Sequence, residues 1–200
     1  IGIRYYQFMK QDIQISNIID RNLAIASNNL NKFNNDYYKK KIKKVINFCI
    51  KALKNKNKII FCGNGGSAAD SQHLCAELVS KFLKNRKPLP SISLTTNTST
   101  LTSIANDFEY KFIFSKQIEA LGEKNDVLIA ISTSGKSKNI IEALKISKKK
   151  GLKNILLTGN KVINKKFCDV VLDVPAERVD RIQELHILIG HIICENIELQ

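Results

Sequence analysis

Four hydroxyls crowd one short turn: Ser132, Thr133, Ser134 and Ser137, within Ser132-Thr133-Ser134-Gly135-Lys136-Ser137. Hydroxyls and backbone N–H groups gathered where a strand gives way to a helix make a cradle for an anion, most often phosphate. Capping of the following helix is the alternative use, but four hydroxyls exceed what one cap needs. A second turn, Gly63-Asn64-Gly65-Gly66-Ser67, also follows an apolar run and opens a helical pattern. Two such loops in one small chain suggest a phosphorylated ligand gripped from two sides. The glycine loop, continued into Ala68, also satisfies G-x-G-x-x-A. A lone match to that dinucleotide fingerprint is weak. The second strand, where a ribose-binding acid belongs, closes on Thr95-Thr96-Asn97, and no Walker A spacing is present.

His73 and Glu77 stand i, i+4 in the helix after the glycine loop. They project from one face, as a metal pair, an acid/base pair or a surface contact. The last helical stretch carries Gln183, Glu184, His186 and His191 among Ile182, Leu185, Ile187, Leu188, Ile189, Ile192 and Ile193. Either histidine could be a satisfied core residue or a chemical group.

The elements that must position these residues alternate. Apolar residues at helical spacing predict two N-terminal helices, Asp12–Asn31 and Tyr37–Leu53, broken at Asn34-Asn35-Asp36. Strands are expected at Ile59–Cys62, Ser91–Leu94, Val127–Ile131, Asn154–Leu157 and Val170–Val174. Helices are expected at Ala68–Leu83, Thr98–Asn106, Phe112–Leu121, Lys138–Lys149 and Arg181–Ile197. This alternation implies a three-layer αβα sandwich around a five-stranded parallel sheet. Runs such as Val127-Leu128-Ile129-Ala130-Ile131 fit strands buried on both faces. In the flavodoxin-like order 2-1-3-4-5, the loops after strands one and three flank the switch point where ligands bind. One domain spanning 1–200 is expected, with a helical assembly element near 10–55 and an α/β core at 58–198.

The net charge of +14 invites a nucleic-acid reading. The excess is 27 Lys against 5 Arg, scattered along the chain, and arginine is the better reader of phosphates and bases. We therefore expect no nucleic-acid partner; the positive field would steer a phosphate ester inward. Five cysteines without a C-x-x-C pair favour packed, reduced thiols. No apolar run approaches the roughly 18 residues of a membrane span, and the expectation is a cytoplasmic protein with no membrane partner.

Four segments, CGNGGSAADSQHLCAELVS (62–80), SLTTNTSTLTSIANDF (93–108), QIEALGEKNDVLIAISTSGKS (117–137) and DRIQELHILIGHIIC (180–194), closely resemble the sedoheptulose 7-phosphate (phosphoheptose) isomerases of the SIS fold. The similarity is collinear from about Lys41 to Ile197. It implies a homotetramer with active sites at subunit interfaces, interconverting sedoheptulose 7-phosphate and D-glycero-D-manno-heptose 7-phosphate. This is an aldose–ketose isomerisation at the entry to nucleotide-activated heptose for surface polysaccharide such as lipopolysaccharide. The family's zinc ligands, one ion per site, fall on His73, Glu77, Gln183 and His191. Its substrate contacts fall on Asn64, Gly65, Gly66, Ser67, Glu77, Asn106, Asp107, Ser132, Thr133, Ser134, Ser137 and Gln183. Glu77 takes the role of base and His191 that of acid. The family's usual Gly-Arg is Ser80-Lys81 here, which replaces a bidentate donor by a point charge. Gln183 and His191 lie about 12 Å apart along a straight helix, so one ion reaches both only through extended side chains or different subunits. The competing reading is a non-catalytic SIS tetramer on the bacterial replication initiator. That scaffold group typically replaces Glu77 and His191, and both are present here.

Overall fold

The computed structural model describes residues 2–159 and 165–200, with side chains from residue 11 onward. Two helices lead: α1 (Gly2–Phe33) and α2 (Asp36–Lys54). Asn35 makes the break between them. Its side chain accepts the N–H groups of Tyr37 and Tyr38, satisfying the first turn of α2. Then follow β1 (Ile59–Gly63), α3 (Gly66–Val79), β2 (Ser91–Ser93) and α4 (Thr98–Asp107). A 3₁₀ turn (Tyr110–Phe112), α5 (Ser115–Leu121), β3 (Val127–Ile131) and α6 (Lys138–Lys150) come next. The chain closes with β4 (Lys153–Gly159), β5 (Val170–Val174) and α7 (Val179–Glu198).

The sheet runs β2-β1-β3-β4-β5 with every pair parallel, the expected order. Strand alternation splits the core in two. Ile59, Phe61, Val127, Ile129, Ile131, Ile155, Leu157 and Leu172 face α2, α3 and α7. Ile60, Cys62, Leu128, Ala130 and Leu156 face α4, α5 and α6. All five cysteines are free. No helix among the described residues is long and apolar enough to cross a membrane.

Three expected elements differ. The first helix, expected over Asp12–Asn31, begins already at Gly2. The helix expected over Ala68–Leu83 ends at Val79. Past that point the N–H groups of Phe82, Leu83 and Lys84 donate to the Glu198 carboxylate. Meanwhile Arg86 takes the carbonyls of Glu77, Leu78 and Ser80. Distant side chains thus supply the partners that another helical turn would have supplied. The helix expected over Phe112–Leu121 is instead a 3₁₀ turn followed by α5.

On α1, Ile13, Ile15, Ile18, Ile19 and Leu23 are exposed. A groove of about 760 Å³ lies between the end of α1, α2 and α7, lined by Phe33, Ile42, Ile46, Ile50, Leu188 and Ile192 among others.

Candidate active site

Both chemistry-bearing loops emerge from carboxyl ends of adjacent strands. β1 runs into Asn64 and α3 begins at Gly66. Gly65 turns this corner with φ +55, ψ −122, a backbone that side chains rarely adopt. The Asn64 side chain is locked. Its Nδ2 donates to Asn139 Oδ1 at 3.0 Å, while its Oδ1 accepts from Asn139 Nδ2 at 2.8 Å and from the Tyr110 hydroxyl at 3.1 Å. The glycine loop is thereby tied to the first turn of α6, which the serine loop opens. Asn139 and Tyr110 were not singled out in the sequence. An amide pair formed between a loop and a helix far along the chain leaves no local spacing signal.

In the serine loop, Ser132 Oγ and Ser137 Oγ lie 3.2 Å apart. Ser134 Oγ accepts the N–H of Lys136 at 3.2 Å, and Gly135 takes φ +63. Ser137 is the N-cap residue of α6, yet its side chain makes no capping bond. Its hydroxyl is therefore spared from the ordinary structural task, leaving it directed at the loop. Thr133 is half-buried and Ser134 exposed, while Ser132 is buried.

The remaining expected substrate residues divide. Gly65 and Gly66 are exposed, whereas Ser67 is buried and packs against Gly63. Asn106 and Asp107 end α4, exposed, with Asn106 Nδ2 donating to Asp107 Oδ1 at 2.9 Å.

The third cluster stands further along α3. His73 Nε2 and Glu77 Oε1 are 3.1 Å apart. α7 brings His191 against them, its ring edge-on to His73 with centroids 5.1 Å apart. One ligand atom from each of His73, Glu77 and His191 can be chosen so that all lie within 4.8 Å of one another. The close approach depends on Gly190. A Cβ there would fall 2.4 Å from Leu74 Cδ2, so a larger residue would force Leu74 or the helices to shift. His191 Nε2 is buried with no hydrogen-bond partner. Both ring nitrogens of the core residue His186 are likewise unpartnered, so what singles out His191 is its convergence with His73 and Glu77. Two imidazoles and a carboxylate are also the donor set a zinc-like ion takes, so the residues fit a metal. Phe82 stacks on the other side of His191 at 5.5 Å.

His186 is the core histidine of α7. It is fully buried, and burial pushes its imidazole down to about 4. On the same helix face as His73, Asp70 is raised by burial and opposed by the nearby His73.

Gln183 is not with this cluster. It lies against Gly66, where a Cβ would meet its Nε2 at 2.4 Å. Helix rise puts it about 12 Å from His191. Within one chain, three of the four expected ligands converge, and the fourth sits at the glycine loop.

The SIS domain family matches residues 23–159. Phosphoheptose isomerase from Nitratiruptor sp. is 52% identical over 151 residues, covering 75% of this chain and 81% of that protein. This chain belongs to the phosphoheptose isomerase family of SIS proteins. The Clostridium acetobutylicum phosphoheptose isomerase is likewise 52% identical, over 80% of this chain and 83% of its own length. The structure of the Neisseria gonorrhoeae phosphoheptose isomerase superposes with a TM-score of 0.85 at 37% identity, covering 93% of this chain and all of that one. Membership makes the chain an isomerase.

Proposed function

We propose that the chain converts D-sedoheptulose 7-phosphate to D-glycero-D-manno-heptose 7-phosphate, the first step toward nucleotide-activated heptose. The observation that carries this reading is the meeting of Glu77 and His191 on α3 and α7, in a fold whose two anion-type loops flank the sheet's switch point. A scaffold for a replication initiator needs neither group, so the observation weighs against that alternative.

The serine loop, with Ser132, Thr133, Ser134 and Ser137, grips the 7-phosphate through hydroxyls and backbone N–H groups. Asn64, Gly65 and Gly66, with Asn106, Asp107 and Gln183, line the sugar. Glu77 removes a proton from C1 of the ketose while His191 protonates the C2 carbonyl oxygen, giving a cis-enediol. Glu77 then returns the proton to C2, and the hydroxyl on C1 gives up its proton to His191 as the aldehyde forms. Atoms and charge balance, and each residue returns to its starting state. His73, Glu77 and His191 would hold the ion, with Gln183 as a fourth ligand drawn in by assembly. A bound zinc would stabilise negative charge on the enediolate oxygens. Ligation and proton transfer compete at Glu77 and His191, so ligation there is loose or the ion chiefly organises the site.

About 10 Å of helix separates Gly66 from His73, so one chain holds the glycine loop and the acid–base pair apart. This spacing supports a homotetramer whose sites are completed across subunits; the cytoplasmic location in the same proposal rests on the family resemblance. The exposed apolar stripe of α1 and the groove beside α2 are the surfaces for that assembly. The test is incubation with sedoheptulose 7-phosphate and detection of the aldose product, with Glu77→Gln alongside. Turnover is expected in the wild type and lost in Glu77→Gln with substrate still bound. Wild-type turnover by Glu77→Gln removes Glu77 from the role of base.

A further inference from the structure

Residues 81–90, between α3 and β2, hold no helix or strand, yet two buried charges pin them. The Arg86 guanidinium donates from Nη2 to the Glu77 carbonyl at 2.7 Å. From Nη1 it donates to the carbonyls of Leu78, Ser80 and Lys87 at 2.9, 3.1 and 3.2 Å. Its Nε lies 3.1 Å from Glu198 Oε1. Glu198, the last residue of α7, accepts the N–H groups of Phe82, Leu83 and Lys84 at 3.0, 2.6 and 2.9 Å. Its side chain is 2% exposed and that of Arg86 15%. Burial pushes the Glu198 carboxyl up, but the three N–H groups and Arg86 prevail and hold it below its ordinary range.

Ending a helix does not require this. A glycine in the left-handed region does the same without burying charge, and α6 ends that way at Gly151. A buried ion pair carries a desolvation cost that a simpler cap avoids. What the pair adds is reach. Arg86 grips the peptide of Glu77 itself. Glu198 lies two turns beyond His191 on one face of α7, and it holds the backbone of Phe82, whose ring stacks on His191. One guanidinium–carboxylate contact thus joins the end of the Glu77 helix, the end of the His191 helix and the aromatic wall behind the imidazole.

We propose that Arg86 and Glu198 are positioning residues that set the mutual placement of Glu77 and His191, acting through the Glu77 peptide and the Phe82 ring. The effect on turnover rests on the isomerase reading; the effect on the imidazole does not.

The test compares Arg86→Lys, which keeps the charge and loses the planar fork, with Glu198→Gln and the marker variant Phe82→Leu. Ring-proton resonances of the three histidines are followed by NMR in histidine-labelled protein, with thermal unfolding and steady-state kinetics on the same samples. Loss of the stacked ring in Phe82→Leu moves the His191 resonances downfield. Arg86→Lys and Glu198→Gln are expected to move them in the same direction while His186 stays in place. They are expected to lower kcat about 10-fold to 100-fold, as displaced catalytic groups do, with KM little changed. Glu198→Asp is expected to recover part of both effects, and it replaces Glu198→Gln if that variant does not fold. Folded variants with a lowered Tm but unmoved His191 resonances and wild-type kcat would reduce the pair to a structural brace and overturn the proposal. A wild type inert on sedoheptulose 7-phosphate would remove the isomerase reading, and the His191 resonances would still decide the clamp.

Discussion

Gly190→Ala puts a methyl where α3 and α7 touch. The new Cβ falls 2.4 and 2.5 Å from the two Leu74 methyls, where ordinary contact begins at 3.4 Å. Leu74 is 1% exposed, so its side chain can turn aside only within a packed core, and whatever part of the overlap it does not absorb parts the helices. Overpacking of this kind costs about 1–3 kcal/mol. Replacing a mid-helix glycine by alanine returns about 1 kcal/mol. The net is a destabilisation between about 0 and about 2 kcal/mol, or a Tm lowered by up to about 8 °C for a chain of this length. His191 follows Gly190 directly, so the parting acts on the His73–Glu77–His191 group. An error of about 1 Å there costs on the order of 100-fold in turnover. The assay is thermal unfolding by circular dichroism beside turnover of sedoheptulose 7-phosphate. A turnover loss far larger than the Tm change implies is the expected signature. Leu74→Ala added to Gly190→Ala should restore part of the turnover by making room. A raised Tm with wild-type turnover would refute the reasoning, because helix propensity alone would then explain the exchange.

Tyr110→Phe removes one of the two hydrogen bonds that Asn64 Oδ1 accepts; a loss of about 0.5–1.5 kcal/mol should appear as a several-fold higher KM at nearly constant kcat, read by steady-state kinetics. Ser134→Ala with Ser137→Ala is expected mainly to raise KM, and an unchanged KM would mean that this loop does not hold the phosphate. His186 gives a pH dependence: folded near 4 and about 6.5 when unfolded, it binds a proton only in the unfolded chain between those values. Stability is therefore complete above about 6.5 and falls as pH drops to about 4, by about 3 kcal/mol in all; urea titrations from pH 7 to pH 4 should show this slope, flattened in His186→Asn. Asp126, fully buried at the start of β3, pairs with Lys58 at 2.8 Å and accepts the N–H groups of Lys58 and Glu123. Asp126→Asn is expected to cost about 2–4 kcal/mol of stability, with kcat of the folded fraction unchanged because it lies at the sheet end opposite the site.

The strands and the loops after β1 and β3 were legible in the sequence because short apolar runs end on glycine and serine, a local signal. His73 and Glu77 were legible as a pair because helical spacing fixes their shared face. Their meeting with His191 was not readable from spacing, since it depends on α3 and α7 packing through Gly190. The end of α3 was misjudged for a related reason. Nothing local stops the helix at Val79; Glu198 and Arg86, folded back from elsewhere, take its next hydrogen-bonding groups. Asn139 and Tyr110 carry no local signal because their partner, Asn64, lies far away along the chain.

α3 is fourteen residues long, with a glycine turn at one end and Glu77 near the other. Such a rod transmits displacement with little loss. Its buried stripe of Ser67, Ser71, Leu74 and Leu78 is its main footing on the body. A change beneath that stripe shifts grip and proton transfer together, so ligand retention and chemical rate will drift in concert across variants there. Independent adjustment of either is open to residues off that stripe, such as the serine turn, Tyr110 beside Asn64 and Arg86 at the far end of the helix.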